Sequence, residues 1–178
     1  MKLFVNILSI LRIFLALIIF ISLISKSGYL TAFILFFIAG LTDYLDGYLA
    51  RKYNVISEFG EILDPIADKI LIIFVFFALA VNLNSYLVGF MASIIISREI
   101  WVSALRDHNA RKNNASATKV IYLAKVKTTI QLFTISVYLF GLAFSQMLLI
   151  IFGDIFLIVS TLITLYTGYV YTRNTFNN

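Results

Sequence analysis

The chain has 178 residues, 61% of them hydrophobic and 13% charged, with a mean hydropathy of +0.97. Soluble domains are roughly 45–50% apolar, so the composition excludes one and indicates an integral membrane protein. The lack of cysteine excludes disulfides, iron–sulfur clusters and thiolate zinc. The net charge of +5 does not indicate a nucleic-acid partner. Its cations lie at span boundaries and in one loop, where anchoring and attraction to anionic headgroups are the usual reasons.

A span needs about 20 apolar residues, which leaves room for about six and for little else. The first apolar run, 4–24, ends at Ser25-Lys26-Ser27-Gly28. It is followed by no convincing small-residue cleavage site and reads as a retained span rather than a signal peptide. The second run, 29–50, ends in an acidic stretch and a polar break from Arg51 to Ser57. The third, 59–81, holds Asp64, Pro65 and Asp68 and stops at Asn82-Leu83-Asn84-Ser85. The fourth, 85–106, leads into a long basic loop from Arg106 to Lys119. The fifth and sixth, 121–144 and 148–171, are separated by a short break near Ser145. The expected fold class is therefore all-α, with six transmembrane helices in a single domain spanning 1–178.

Lysine and arginine in the loops set the orientation. With the N-terminus inside, the inner side carries Lys2, Arg51, Lys52, Arg106, Arg111, Lys112, Lys119 and Arg173, and the outer side only Lys26. The acidic stretch and the basic loop then share the cytoplasmic side.

Four carboxylates stand out. Asp43 and Asp46 are about 60° apart on their helix, and Asp64 and Asp68 about 40° apart on the next. The short link makes the two helices antiparallel neighbours, so both acidic faces converge. Charges at membrane depth are costly and persist mainly where they line a site. Four unpaired carboxylates could not all stay ionised in a low-dielectric site. Two divalent cations would neutralise them, and hard oxygen ligands suit Mg²⁺ or Mn²⁺. Such a pair, about 4 Å apart, serves in-line displacement at phosphorus. Gly47 and Gly60 allow close approach of a ligand or backbone. Pro65 removes one helical hydrogen bond and frees the carbonyl of Glu61, a defect tolerated in membranes only where something re-satisfies it. The plainer alternative pairs these acids with Arg51, Lys52 and Lys69 as boundary salt bridges.

Written as a pattern, the stretch is D-x2-D-G-x2-A-R-x8-G-x3-D-x3-D, from Asp43 to Asp68. It resembles the signature of the CDP-alcohol phosphatidyltransferases. The resemblance implies six transmembrane helices, a homodimer, and transfer of a phosphatidyl group from CDP-diacylglycerol to an alcohol with release of CMP. Asp43, Asp46, Asp64 and Asp68 would hold two Mg²⁺ or Mn²⁺ ions, and Asp68 would be the general base. Gly47, Ala50, Arg51, Ser57 and Gly60 would line the CDP-diacylglycerol site. The run from Asn6 to Arg12 resembles the family's N-x-L-[ST]-x-x-R, which places Asn6, Ser9 and Arg12 against the nucleotide; Val5 stands where a proline is usual. Two further segments resemble the phosphatidylglycerophosphate synthases within that family. Arg98-Glu99 to Arg106 matches R-E-x6-R, and Lys125 to Gln131 matches K-x-K-T-x-x-Q, with Ala124 in place of the usual glycine.

That resemblance implies glycerol 3-phosphate as acceptor, bound through Arg98, Arg106, Lys125 and Lys127. The chemistry agrees: a phosphate dianion needs fixed cations, arginine as a planar fork and lysine as a point charge. Lys125 and Lys127 are about 200° apart on a regular helix, so one of the two faces the site. Glu99 lies about 20° from Arg106 and is expected to pair with it or orient it. The expected setting is the bacterial cytoplasmic membrane, with membrane lipids as partners and the site inside. The same chemistry with serine, inositol phosphate or phosphatidylglycerol is the alternative. Inositol phosphate would also use the cations, and the others would not need them. A divalent-cation carrier would spread its acids across the membrane depth, whereas these cluster at one side.

Of the remaining polar residues, Arg111, Lys112 and Lys119 read as headgroup contacts and His108 as a solvated loop residue. Trp101 and the many tyrosines and phenylalanines read as lipid-facing or interfacial bulk. Thr161, Thr164 and Gly168 suit helix packing or a dimer contact. Asp154 has no assigned role.

Overall fold

A computed structural model describes residues 2–53, 58–112 and 122–177, apart from the side chains of 2–5, 49–51, 53, 58, 59, 61, 122, 124 and 125. These residues form six helices: α1 (Lys2–Ile24), α2 (Tyr29–Tyr53), α3 (Glu58–Asn82), α4 (Tyr86–Arg111), α5 (Tyr122–Ala143) and α6 (Met147–Phe176). The described residues include no strand.

Among the described residues, five helices, α1, α2, α4, α5 and α6, contain a stretch long and apolar enough to cross a membrane. Helix α3 sits where the third span is expected, but its N-terminal half carries Glu58, Glu61, Asp64, Asp68 and Lys69. The apolar part, 70–81, rises about 18 Å at 1.5 Å per residue, short of a hydrocarbon layer of about 30 Å. Helix α3 packs against α1, α4 and α5, and in its charged half Asp64, Asp68 and Lys69 are half-buried. It runs through Pro65 without a break.

Three tight turns pair consecutive helices. Lys26, Asn84 and Ser145 adopt left-handed backbone (φ 55°, 49° and 54°). At two of them the hydrogen bonds form the double closure of a Schellman cap. Ser85 N donates to Ala80 O at 3.0 Å and Asn84 N to Val81 O at 3.2 Å. Gln146 N and Ser145 N do the same to Gly141 O and Leu142 O, at 2.8 and 3.4 Å. Ser85 then caps α4, accepting from Val88 N. The breaks expected at 25–28, 82–85 and 145 are thus all present.

The core joins Leu15, Ile19 and Leu23 of α1 to Phe36 of α2, Val75, Phe76 and Leu79 of α3, Ile95 of α4, Ile135 and Leu139 of α5, and Leu157 of α6. Alanines at 16, 32, 39, 78 and 92 are buried among them, which lets helix backbones approach closely. Large apolar side chains such as Ile7, Phe14, Ile21, Phe37, Phe90 and Leu162 face outward, as a lipid environment requires.

Helices α4 and α6 run past the expected limits of 106 and 171. Val102, Leu105 and Tyr171 form a second small core there. Asn109 donates to Thr175 and Trp101 to Thr172, both at 2.8 Å. His108 and Arg111 therefore lie on a helix rather than in a loop. Thr161 and Thr164 are buried, and Gly168 closes on Arg98, so these residues serve helix packing within the chain. Asp154 accepts a hydrogen bond from the Tyr138 hydroxyl at 2.6 Å.

Gly153 lies under that tyrosine: an added Cβ would stand 2.7 Å from the ring. Gly153→Ala is therefore expected to lower Tm by about 3–10 °C, the range for overpacking in a chain of this size. Gly40 has nothing within 4 Å of such a Cβ, so Gly40→Ala should leave Tm unchanged. Equal melting curves for the two variants in detergent would contradict this packing.

Candidate active site

Helices α1, α2 and α3 bring the four carboxylates together. On α1, Ser9 and Arg12 are one turn apart and both fully buried. Arg12 Nη2 donates to Asp46 Oδ2 and Nη1 to Asp68 Oδ1. Nη1 also pairs with Asp43 Oδ1 at 3.2 Å. Ser9 Oγ donates to Asp64 Oδ1. One face of α1 thus meets the acidic faces of both neighbours, and every acid of the signature has a partner there.

Burial is uneven. Asp46 is 3% exposed, whereas the side chains of Asp43 and Asp68 are 50% and 45% exposed. Asp46 and Arg12 form the closed floor, and Asp43 and Asp68 form the open side. The cation expected as the plain alternative partner was Arg51, Lys52 or Lys69. Of these, Lys52 lies over the Tyr48 ring at 5.5 Å, Lys69 donates to Ser103 Oγ at 2.6 Å, and the side chain of Arg51 lies outside the described residues. Arg12, expected against a nucleotide, contacts Asp43, Asp46 and Asp68. The sequence signal for this was present, since an arginine inside an apolar helix requires an anionic or polar partner.

One guanidinium balances one of four carboxylate charges, leaving the cluster at −3 if all are ionised. The donor set is all oxygen, which by charge and hardness fits divalent cations such as Mg²⁺ or Mn²⁺. Among the described residues no three acidic or histidine side chains surround a common point closely enough to form a cage. Asp43, Asp46 and Asp68 all contact the Arg12 guanidinium.

A cavity of about 460 Å³ opens beside the cluster, between α3, α4 and α5. Asp68 lies in its wall with Lys69, Glu99, Ser103, Arg106, Lys127, Thr128 and Gln131. A smaller recess, about 50 Å³, touches Arg12 and Asp43 and shares Asp68 and Thr128 with the larger one. Asp68 is therefore the acid common to both.

The four expected acceptor cations separate. Lys127 is buried in the cavity wall, with its ammonium on Glu99 Oε1. Arg106 also lines the cavity, its guanidinium 5.6 Å from the centre of the Tyr171 ring. Arg98 does not line it. It turns to α6, donating to Thr164 O at 3.0 Å and Thr167 Oγ1 at 2.7 Å, with Gly168 leaving room for its side chain. Its Nη1 also reaches Glu99 Oε1 at 3.2 Å. Glu99 is thus paired with Lys127 and Arg98, not with Arg106. Lys69 and Ser103 join the site without having been singled out for it; the position of Lys69 next to Asp68 was the available signal.

Asn6 and Gly47 are half-buried and Gly60 is buried. The side chains of Ala50, Arg51 and Lys125 lie outside the described residues, as does Ser57 entirely.

The chain is similar to known proteins over most of its length. The family model described as CDP-alcohol phosphatidyltransferase matches residues 2–166. A CDP-diacylglycerol–glycerol-3-phosphate 3-phosphatidyltransferase of Rickettsia felis is 39% identical over 141 residues, covering 79% of this chain and 76% of its own. One of Blochmanniella floridana is 40% identical over 141 residues, covering 78% and 73%. A third, of Haemophilus influenzae, is 42% identical over 109 residues, covering 61% and 58%.

Proposed function

Because the chain belongs to the CDP-alcohol phosphatidyltransferase family, we propose that it moves the phosphatidyl group of CDP-diacylglycerol onto glycerol 3-phosphate and releases CMP. The supporting observation is the position of Asp68. It belongs to the acid cluster and also lies in the wall of a cavity that carries Lys69, Arg106 and Lys127.

Asp43, Asp46, Asp64 and Asp68 would hold divalent cations, two in this reading, which when bound supply Lewis acidity and neutralise charge at the pyrophosphate. The chain's own residues do the rest. Arg12 and Ser9 hold the carboxylates in register across three helices. Arg106 and Lys127, with Lys69, hold the acceptor's phosphate. Asp68 takes the proton from the acceptor's C1 hydroxyl as that oxygen bonds to the phosphatidyl phosphorus and the bond to CMP breaks. The apolar lining, Ile72, Ile73, Ile95, Ile96 and Ile100, limits competing attack by water. Arg98 serves as a tie between α4 and α6. A lipid donor and a soluble acceptor must meet at an interface. The lysine and arginine distribution supports an interface on the cytoplasmic side; in this reading the membrane is the bacterial inner membrane, all six helices are embedded, and the chain forms the homodimer usual in the family.

The test is CMP release by the detergent-purified protein with CDP-diacylglycerol, Mg²⁺ or Mn²⁺, and one acceptor at a time. Release with glycerol 3-phosphate, and not with serine, inositol phosphate or phosphatidylglycerol, is the expected result. Arg106→Ala should then raise the acceptor KM about 10-fold or more, the loss expected for one charge-assisted phosphate contact, with the KM for CDP-diacylglycerol unchanged. Release with inositol phosphate alone would retain the cation site and replace the acceptor. An unchanged acceptor KM would remove Arg106 from it.

A further inference from the structure

Glu99 is an anomaly in a cavity that must hold a phosphate dianion. A carboxylate there repels the ligand, and neutralising Lys127 alone would be a poor reason for it, since the pair Lys127–Glu99 contributes no net charge. The geometry indicates another use. Lys127 and Arg98 both bind the same atom, Glu99 Oε1. Oε2 has no hydrogen-bond donor among the described residues, and the side chain is 25% exposed, in the wall of the cavity. Two cations from α4 and α5 therefore hold the carboxylate by one oxygen and leave the other without a donor, on a side chain that lines the same cavity as Asp68.

The other uncharged polar groups are engaged. Ser103 Oγ accepts from Lys69, and Gln131 Nε2 is turned to Thr164 Oγ1 at 3.4 Å. A small polyol phosphate brings three kinds of group into this cavity: a phosphate for the cations, a reacting hydroxyl for Asp68, and any further hydroxyl. An ionised carboxylate is the strongest available acceptor for that last group, and a site built to bond a hydroxyl rejects an analogue that lacks it.

Resting on the acceptor reading above, we propose that Glu99 is a specificity-determining residue that accepts a hydrogen bond from the acceptor's C2 hydroxyl through Oε2. Selection then has two parts: cations recognise the phosphate, and Glu99 recognises the neighbouring alcohol.

The test compares glycerol 3-phosphate with 3-hydroxypropyl phosphate, which has the same phosphate and reacting hydroxyl but no C2 hydroxyl. Wild type is expected to favour glycerol 3-phosphate in kcat/KM by about 10- to 100-fold. Glu99→Ala should bring the ratio to within about threefold of unity, and Glu99→Gln, which keeps a neutral oxygen acceptor, should give an intermediate ratio. A role confined to positioning Lys127 would lower both acceptors together and leave the ratio at the wild-type value; that result overturns the proposal. So does a wild type that uses the two acceptors equally. Where Glu99→Ala does not fold, the Glu99→Gln ratio decides, and an unchanged value counts against Glu99. Release with neither acceptor would overturn the glycerol 3-phosphate reading and this inference with it.

Discussion

Asp68→Asn is expected to reduce CMP release at least about 10³-fold, toward the upper end of what loss of a general base costs. Asparagine has nearly the same shape but cannot take a proton, and as a neutral group it also weakens the oxygen donor set. The variant should stay folded. Arg12 retains Asp43 and the buried Asp46, and half of the Asp68 side chain is already open to the cavity. Turnover and melting temperature must therefore be measured on one preparation. Activity near wild type would remove Asp68 as the base. Loss of activity together with collapse of the thermal transition would assign it a structural role instead.

The second large effect is at Arg12. Its side chain is completely buried, and it is the cation common to Asp43, Asp46 and Asp68. Arg12→Leu leaves three carboxylates without their counter-ion. Breaking a buried ion cluster from one side costs about 3–5 kcal/mol, or roughly 6–20 °C in Tm for a chain of this length. Arg12→Lys should recover only part of that, because a single ammonium cannot reproduce two Nη atoms aimed at different helices. Asp46→Asn, in the Arg12→Leu background, should be less destabilising than on its own, since it removes the most buried of the stranded charges. Additive losses in that double-mutant cycle would mean that Arg12 and Asp46 are not coupled, contrary to the geometry.

Several elements of this site were legible before any coordinates. The helical spacing put Asp43 and Asp46 on one face and Asp64 and Asp68 on another, because helix periodicity alone decides which residues share a face. The direct contact between their helices expected from the short link does not form among the described residues, and the two faces meet instead on α1, which packs against both α2 and α3. The breaks at Gly28, Asn84 and Ser145 were legible for the same local reason: polar turn residues interrupt apolar runs. The third span was less so. Its hydrophobic pattern satisfied the length of a crossing helix, but the five charged residues of its first half shorten the apolar stretch.

Composition and periodicity are local properties, and they determined the membrane class, the helices and which acids share a face; their convergence came from α1, packed against both α2 and α3. The choice of partner is not local. Arg12 is 31 residues from Asp43 and 56 from Asp68, and nothing within α1 specifies which carboxylates it meets. Likewise Glu99 could have reached Arg106 along its own helix, but the packing of α5 against the bundle presents Lys127 first, and the packing of α6 draws Arg98 away from the cavity. Ion pairing within a low-dielectric bundle is decided by which charged groups the helix contacts bring within a few ångströms, where desolvation makes any unpaired alternative far more expensive. That distance is set by the tertiary arrangement of helices and is not carried by spacing along any one of them.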